Sequence, residues 1–189
     1  RLKIDANVRR QLVEGDAVRD WQYLQVCDAI YEYDVTGNHI PSSSADKYFW
    51  IFRSLMRPAI YFGRTKEQRG MNWREYGVIV KDKLGDTPTI SFAEITTHNH
   101  FVLDKGNKVF KQTAPVIKLS SQASEEDYLG LVGLLNSSVA CFWLKQVCFP
   151  KDGQGQMWEE RFAFNSTNVA EFPLCENQPL LISHRIDKL

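Results

Sequence analysis

Cysteine is scarce in this sequence, the positive and negative charges cancel, and no apolar run is long enough to cross a membrane comfortably. The four cysteines contain no Cys-x-x-Cys pair, which argues against a disulfide scaffold and against a structural zinc site of the usual spacing. The 23 basic and 23 acidic side chains exclude a bulk polycation but not a locally basic face. We therefore expect a reduced, intracellular protein.

The nearest approach to a membrane span is the uncharged stretch 128–144. It is short for a bilayer, and the polar run Asn136-Ser137-Ser138 falls in its middle. A buried pair of helices explains this stretch better than a membrane span, and no basic-then-apolar signal segment opens the chain. The sequence therefore predicts no membrane partner.

The motifs of several enzyme classes are also missing. The chain contains no G-x-G-x-x-G, G-x-x-x-x-G-K-[ST], G-x-S-x-G or H-E-x-x-H motif, and no Asn-Pro-Pro-Tyr tetrapeptide of the adenine methyltransferases. His98 and His100 would share one face of a strand and could hold a metal, but no third ligand is apparent nearby, so hydrogen-bonded or solvent-facing histidines are preferred. The chain alone is expected to be non-catalytic and to hold no cofactor and no metal.

Hydrophobic residues at 43% and aromatic residues at 12% indicate a folded chain. A length of 189 residues suits one domain, here predicted over 1–189, and the first residue, Arg1, suggests a segment of a longer protein. Residues 7–21 are expected to form one or two short helices. Ser124 is a candidate helix N-cap, and a hydroxyl of Ser137 or Ser138 could cap a second helix that ends at Val147.

Short β-branched and aromatic runs, separated by turn residues, fill the middle of the chain. The predicted strands are 30–33, 59–62, 77–80, 89–93, 100–103, 108–110 and 116–119. A turn is expected at Thr36-Gly37-Asn38, after the first of them, and 46–56 is expected to be helical. A spacing of roughly ten residues favours antiparallel pairing. The predicted fold class is α+β, with a mostly antiparallel central sheet packed against a C-terminal helical hairpin and short N-terminal helices.

Positive charge is concentrated in the middle of the chain. Residues 47–83 hold 9 basic and 3 acidic side chains, a balance of +6, whereas residues 1–46 and 84–189 each carry −3. Arginine and lysine neutralise phosphates, and arginine, glutamine and asparagine can read base edges with two hydrogen bonds. The candidate DNA-binding residues are Arg57, Arg64, Lys66, Gln68, Arg69, Asn72, Trp73 and Arg74, with His98, Asn99 and His100 as secondary candidates. A solvated basic loop without a ligand is the alternative interpretation.

Several stretches resemble a known family. Residues 9–21, 128–145 and Glu171-Phe172-Pro173-Leu174 are similar to the opening, the leucine-rich helical hairpin and the closing Phe-Pro signature of TaqI-like target recognition domains. Residues 57–70, 97–104 and 114–119 resemble the C-terminal region of the PglX-type adenine methyltransferases of BREX phage-defence systems, and of related type IIG restriction–modification enzymes.

The resemblance implies that the chain is a target recognition domain, which selects a double-stranded DNA site for methylation. Its partners would be DNA and the methyltransferase domain of the same polypeptide, in a bacterial or archaeal cytoplasm. S-adenosylmethionine would bind in that catalytic domain, which this chain lacks, and no catalytic residue is carried over.

Two other functions stay open at this stage. One is a protein-interaction module that docks other defence-complex subunits or a phage inhibitor through Trp21, Tyr23, Tyr31 and Tyr33. The other is a metal-dependent nuclease that uses Asp82, Asp86 and Glu94, although their spacing fits no nuclease pattern.

Overall fold

The computed structural model describes residues 3–81, 88–151, 160–175 and 178–188. Its internal contacts divide the chain into two compact units. Unit 1 comprises Arg1–Gln11 and Asp28–Asp86, and unit 2 comprises Leu12–Cys27 and Thr87–Leu189. The chain therefore passes between the units more than once.

Helices and short strands both occur, and the predicted α+β class is confirmed. The helices are α1 (Ser43–Phe49), α2 (Arg53–Met56), α3 (Glu125–Leu135), α4 (Ser138–Val147), α5 (Ser166–Ala170) and α6 (Leu180–Ile186). The strands are β1 (Arg9–Val13), β2 (Val18–Arg19), β3 (Gln22–Tyr23), β4 (Cys27–Ile30), β5 (Ile60–Tyr61), β6 (Arg64–Thr65), β7 (Thr89–Phe92), β8 (Ile95–Thr96), β9 (Phe101–Asp104), β10 (Lys108–Phe110), β11 (Val116–Ile117), β12 (Phe149–Pro150) and β13 (Phe162–Ala163). Single 3₁₀ turns cover Ala6–Val8, Gly15–Ala17, Trp50–Phe52 and Glu67–Arg69.

The strands of unit 2 form several small antiparallel sheets instead of one central sheet. The order β11-β7-β9 makes the most buried of them, and β12-β13-β8 makes another. All four residues of β7 are buried, because both of its faces are covered. Ile90 and Phe92 face the core formed with α3 and α4, whereas the hydroxyl of Ser91, on the other face, lies 2.7 Å from that of Tyr23.

The two predicted helices of the leucine-rich stretch are confirmed, with their caps. The Ser124 hydroxyl accepts a hydrogen bond from the Asp127 amide, and the Asp127 carboxylate accepts one from the Ser124 amide, which completes a capping box. The Ser137 hydroxyl accepts from the Ala140 amide at 3.1 Å and so caps α4. In the described parts of the chain no single helix is long and apolar enough to span a membrane, and α3 and α4, which pass that test only as a pair, are bent by 67°.

Unit 1 has a polar interior. Val8, Ala45 and Trp73 are buried, but so are Glu32 and two of its basic side chains. The predicted turn at Thr36-Gly37-Asn38 is confirmed: the carboxylate of Asp34 accepts hydrogen bonds from the amides of Thr36 and Asn38. The helical prediction for 46–56 is also confirmed, as α1, a 3₁₀ turn and α2.

Three local predictions are wrong. The strand predicted over 30–33 is instead β4, which begins at Cys27 and ends at Ile30. Residues 7–21 contain β1 and β2 with two 3₁₀ turns instead of α-helices, because sheet pairing supplies the backbone hydrogen bonds and the burial along β1 alternates as in a strand. Residues 77–80, all described, form no strand. Gly77 instead packs against the Tyr61 ring, where an added Cβ would lie 2.4 Å from ring carbons, and Val78 and Val80 are exposed.

Candidate nucleic-acid interface

An exposed hairpin stands at the centre of the basic segment of unit 1. Strands β5 and β6 pair antiparallel with Tyr61 opposite Arg64, so Phe62 and Gly63 form a two-residue loop. The φ angles of these two residues are 54° and 76°, as in the type I′ turns that match the twist of a hairpin. A phenylalanine is unusual in such a conformation, because its Cβ crowds the backbone there. Its side chain is nevertheless held in solvent, at 81% exposure.

Three arginines lie around this hairpin. Arg64 is exposed and has no ion-pair or hydrogen-bond partner for its guanidinium among the described residues. The Arg69 guanidinium lies over the Phe62 ring, 5.4 Å from its centroid, and donates a hydrogen bond to the Gly77 carbonyl at 2.8 Å. Arg57 is also exposed, and its Nε lies 3.2 Å from the Glu67 carboxylate. The hairpin therefore presents an aromatic ring beside guanidinium groups.

Lys66, in contrast, points into unit 1. It is only 5% exposed, its Nζ donates a hydrogen bond to the Trp73 carbonyl at 3.1 Å, and it lies 5.5 Å from the centroid of the Tyr61 ring. Burial lowers the pKa of this ammonium, and the nearby Glu75 carboxylate partly opposes that effect. Lys66 therefore packs inside unit 1 against the Tyr61 ring of the hairpin and does not face a ligand.

Arg74 is the most enclosed of the predicted DNA contacts. Its side chain is 5% exposed and lies 3.5 Å from the Glu32 carboxylate and 3.3 Å from that of Asp46. It also donates a hydrogen bond to the Ser42 carbonyl at 3.3 Å. Since Glu32 is itself buried, the guanidinium neutralises a carboxylate that would otherwise be isolated from water.

Three of the eight candidate DNA-binding residues in 57–74 are therefore buried and face no ligand as the structure stands; they are Lys66, Trp73 and Arg74. Gln68 and Asn72 are exposed but engaged locally. The Gln68 Oε1 accepts from the Thr65 amide at 2.9 Å, and the Asn72 Oδ1 accepts from the Arg74 amide at 3.0 Å. DNA contact by the exposed members stays a prediction. They are Arg57, Arg64, Gln68, Arg69 and Asn72.

The secondary candidates belong to unit 2 and face in different directions. The Asn99 amide is buried and donates hydrogen bonds to the carbonyls of Leu135 and Ser137, where α3 ends and α4 begins. His100 is buried and its Nδ1 lies 2.6 Å from the Asp20 carboxylate, whereas His98 is exposed. Asn99 therefore joins the ends of two helices through its hydrogen bonds, and of the three residues only His98 is exposed to solvent.

Sequence reasoning missed Phe62. The signal was present as an aromatic residue followed by glycine between two short β-prone runs, a weak form of the Asn-Gly hairpin signature. It also missed Asp20, which lies 80 positions before His100 and therefore gave no local signal.

The residues of the two alternative functions can also be placed. Asp82 and Asp86 lie outside the described residues, and Glu94 is partly buried. The four aromatic residues of the interaction hypothesis are all partly buried, with Trp21 and Tyr23 in unit 2 and Tyr31 and Tyr33 in unit 1. The amide of Tyr76 donates to the Tyr33 hydroxyl at 2.6 Å, so that ring has an internal role.

Comparison with known proteins gives one informative match. The chain is 38% identical, over an alignment of 196 residues that spans 95% of it, to the adenine-specific methyltransferase PglX of Streptomyces coelicolor. The chain spans only 16% of the length of that protein. No family model matches the chain. The similarity is therefore to a segment of a protein named as an adenine-specific methyltransferase.

Proposed function

We propose that this chain is the part of a PglX-type adenine methyltransferase that recognises double-stranded DNA and selects the site to be methylated. The similarity to a segment of PglX supports the methyltransferase context. The proposal assigns S-adenosylmethionine binding, base flipping and methyl transfer to a catalytic domain elsewhere in the same polypeptide. The BREX phage-defence context comes from the same resemblance.

The observation that carries the DNA-binding part is the hairpin of β5 and β6. It holds Phe62 at its tip, in a backbone conformation that a phenylalanine adopts only at a cost of about 1–2 kcal/mol. Strained residues of this kind concentrate at functional sites. Proteins that deform DNA insert apolar side chains between base steps, and cations beside the wedge hold the phosphates. The hairpin supplies the apolar side chain, Phe62, and the neighbouring arginines supply the cations.

Each exposed polar side chain has a role that fits its surroundings. Arg64 is free to contact a phosphate or the edge of a guanine. Arg69 is positioned by the Gly77 carbonyl and the Phe62 ring, so that a contact to DNA would need little further ordering. Gln68 and Asn72 each carry an amide able to read adenine, but each already uses its carbonyl oxygen in a hydrogen bond to the backbone.

Replacing Arg64 by alanine is expected to weaken DNA binding and to reduce its dependence on salt. If Arg64 neutralises one phosphate, the slope of log K against log salt concentration should become shallower by about 0.9. Fluorescence anisotropy with a labelled duplex, recorded at several salt concentrations, measures both quantities. Arg185→Ala is the matched control, because Arg185 is an exposed arginine of unit 2. Equal slopes for the wild type, Arg64→Ala and Arg185→Ala would remove Arg64 from the interface.

Replacing Phe62 by asparagine is expected to weaken DNA binding without lowering the stability of the protein. Asparagine tolerates positive φ and creates the Asn-Gly pair that type I′ turns prefer, so thermal stability should be unchanged or higher. DNA binding should fall by about 1–3 kcal/mol, the magnitude measured when a base loses an aromatic stacking partner, with the salt slope unchanged. Anisotropy and a thermal melt of the same sample provide both readings, and Phe142→Asn, at an exposed phenylalanine of α4, is the control. If Phe62→Asn binds DNA with unchanged affinity, Phe62 does not insert between the bases.

A second candidate function rests on the apolar surface of α1, α2 and the turn between them. Trp50, Ile51 and Leu55 are 54%, 63% and 74% exposed in unit 1. Large apolar side chains that are exposed close together are typical of protein interaction sites. This surface would suit docking on another protein chain or on another part of the same polypeptide. If the chain binds a protein with an affinity that does not depend on salt, and Leu55→Ser abolishes that binding, the interaction function is favoured over DNA recognition.

A further inference from the structure

Three potential metal ligands from distant parts of unit 2 meet on its surface. They are Asp20, His98 and His100, and one ligand atom from each lies within 4.8 Å of the others. Asp20 Oδ1 lies 2.6 Å from His100 Nδ1, and Asp20 Oδ2 lies 4.0 Å from His98 Nε2. The two imidazole rings are 4.1 Å apart, centroid to centroid.

The position of Asp20 is fixed by a hairpin. Strands β2 and β3 pair with Arg19 opposite Gln22, which leaves Asp20 and Trp21 as the two-residue loop. Val18, at the base of the hairpin, is fully buried in a core cluster of unit 2. The carboxylate is therefore held at a turn whose two ends are anchored.

The histidines lie in the short segment that precedes β9, outside any strand. Their two rings lie side by side, whereas the side chain of Asn99, between them, reaches the end of α3. The Asn99 amide donates hydrogen bonds to the Leu135 and Ser137 carbonyls, and the backbone of Phe101, two positions further on, exchanges two hydrogen bonds with the Asn136 side chain. These contacts set the backbone of 98–101 before any ion binds.

The bonding around the imidazoles suits metal coordination. Thr97 Oγ1 lies 3.0 Å from His98 Nδ1, which leaves Nε2 as the ligand atom, and a hydrogen bond to the second ring nitrogen is the usual way in which a ligating histidine is oriented. His100 is buried and its Nδ1 lies 2.6 Å from the Asp20 carboxylate, so this nitrogen is its ligand atom nearest to the shared position.

We propose that Asp20, His98 and His100 form a binding site for a divalent transition-metal ion, with zinc as the ion whose preferences fit best. Zinc accepts two imidazole nitrogens and one carboxylate oxygen at about 2.0–2.2 Å each. In a tetrahedral site such ligand atoms lie ~3.3 Å apart, so Asp20 moves slightly away from His100 and His98 moves slightly towards Asp20. Asp20 and His98 are exposed, so the fourth position faces solvent.

A bound ion would connect the loop between β2 and β3 to the segment before β9. Because the three ligands come together only in the folded form, the ion stabilises unit 2 by an amount that rises with the logarithm of its concentration above Kd. The site lies in a different unit from the β5–β6 hairpin and does not depend on DNA binding.

The test is titration of the 189-residue chain with Co²⁺, followed by Zn²⁺. We expect one Co²⁺ per chain with visible d–d absorption, displacement by Zn²⁺, and a higher melting temperature with Zn²⁺ than with a chelator. His98→Ala and Asp20→Ala should each weaken binding at least about tenfold. His184→Ala, at a histidine of α6 outside the site, and Asp16→Ala, at an exposed aspartate, should bind as the wild type does.

Three outcomes would overturn the proposal. The first is the absence of saturable Co²⁺ or Zn²⁺ binding by the wild-type chain. The second is binding that survives in both His98→Ala and Asp20→Ala. The third is an intense thiolate charge-transfer band, which would assign the ion to cysteines such as the exposed Cys27 and Cys175. His98 is exposed, so His98→Ala is expected to stay folded, and its circular dichroism spectrum verifies this.

Discussion

Replacing Arg74 by methionine is expected to lower the free energy of unfolding of unit 1 by about 3–5 kcal/mol, the usual result of removing one partner from a buried ion pair. Glu32 is 3% exposed, and the substitution removes the guanidinium that lies 3.5 Å from its buried carboxylate. Hydrogen exchange of peptides within 28–81 measures the effect in unit 1 itself, because the two units need not unfold together.

Arg64→Met is the matched control for this loss. It removes the same group from an exposed position, so its effect on stability should stay within about 0.5 kcal/mol. A second substitution tests the cause: Glu32→Gln in the Arg74→Met background removes the isolated charge and should restore most of the lost protection. If Arg74→Met is as stable as Arg64→Met but binds DNA more weakly than the wild type, then Arg74 contacts DNA and the structural role is contradicted.

Replacing Asn99 by alanine is expected to destabilise unit 2 by about 2–3 kcal/mol. The substitution leaves the Leu135 carbonyl, and in part the Ser137 carbonyl, without the donor that the buried amide supplies, and a buried unsatisfied polar group costs about 1–3 kcal/mol. Asn99→Asp should be worse, because a carboxylate would face two carbonyl oxygens. The midpoint of urea denaturation, followed by circular dichroism, measures the loss.

His98→Ala is the control, since His98 is adjacent in sequence but exposed. Its midpoint in a metal-free buffer should match the wild type. An unchanged midpoint for Asn99→Ala, together with loss of DNA affinity, would contradict the structural role and support base contact by Asn99.

These two residues show how far the sequence could be interpreted. Arg74 and Asn99 have the side chains of DNA-binding residues and lie in segments that contain others of the same kind. Their actual partners are distant in the chain: Glu32 lies 42 positions from Arg74, and Leu135, at the end of α3, lies 36 positions from Asn99. Composition alone cannot distinguish a guanidinium that faces solvent from one that neutralises a buried carboxylate.

The strands at the N-terminus illustrate the same limit for the fold. Residues 7–21 were predicted helical because Val8 and Leu12 recur at helical spacing, whereas Arg9–Val13 form the strand β1. Periodicity over so few residues is compatible with either state, and hydrogen-bonding partners from other parts of the chain decide between them. The helices α3 and α4 were predicted correctly because their caps, Ser124 and Ser137, act within four residues.

What the sequence by itself determined is therefore local: the α+β class, the two capped helices, the turn at Asp34–Asn38 and the excess of positive charge in 47–83. Each of these depends on neighbouring residues or on simple counts. Only the tertiary structure decided which cations face solvent, that Phe62 stands at an exposed turn, and that Asp20 meets His98 and His100. The physical reason is that burial and ligand geometry are set by contacts between residues far apart in the chain, for which a single sequence carries no local signal.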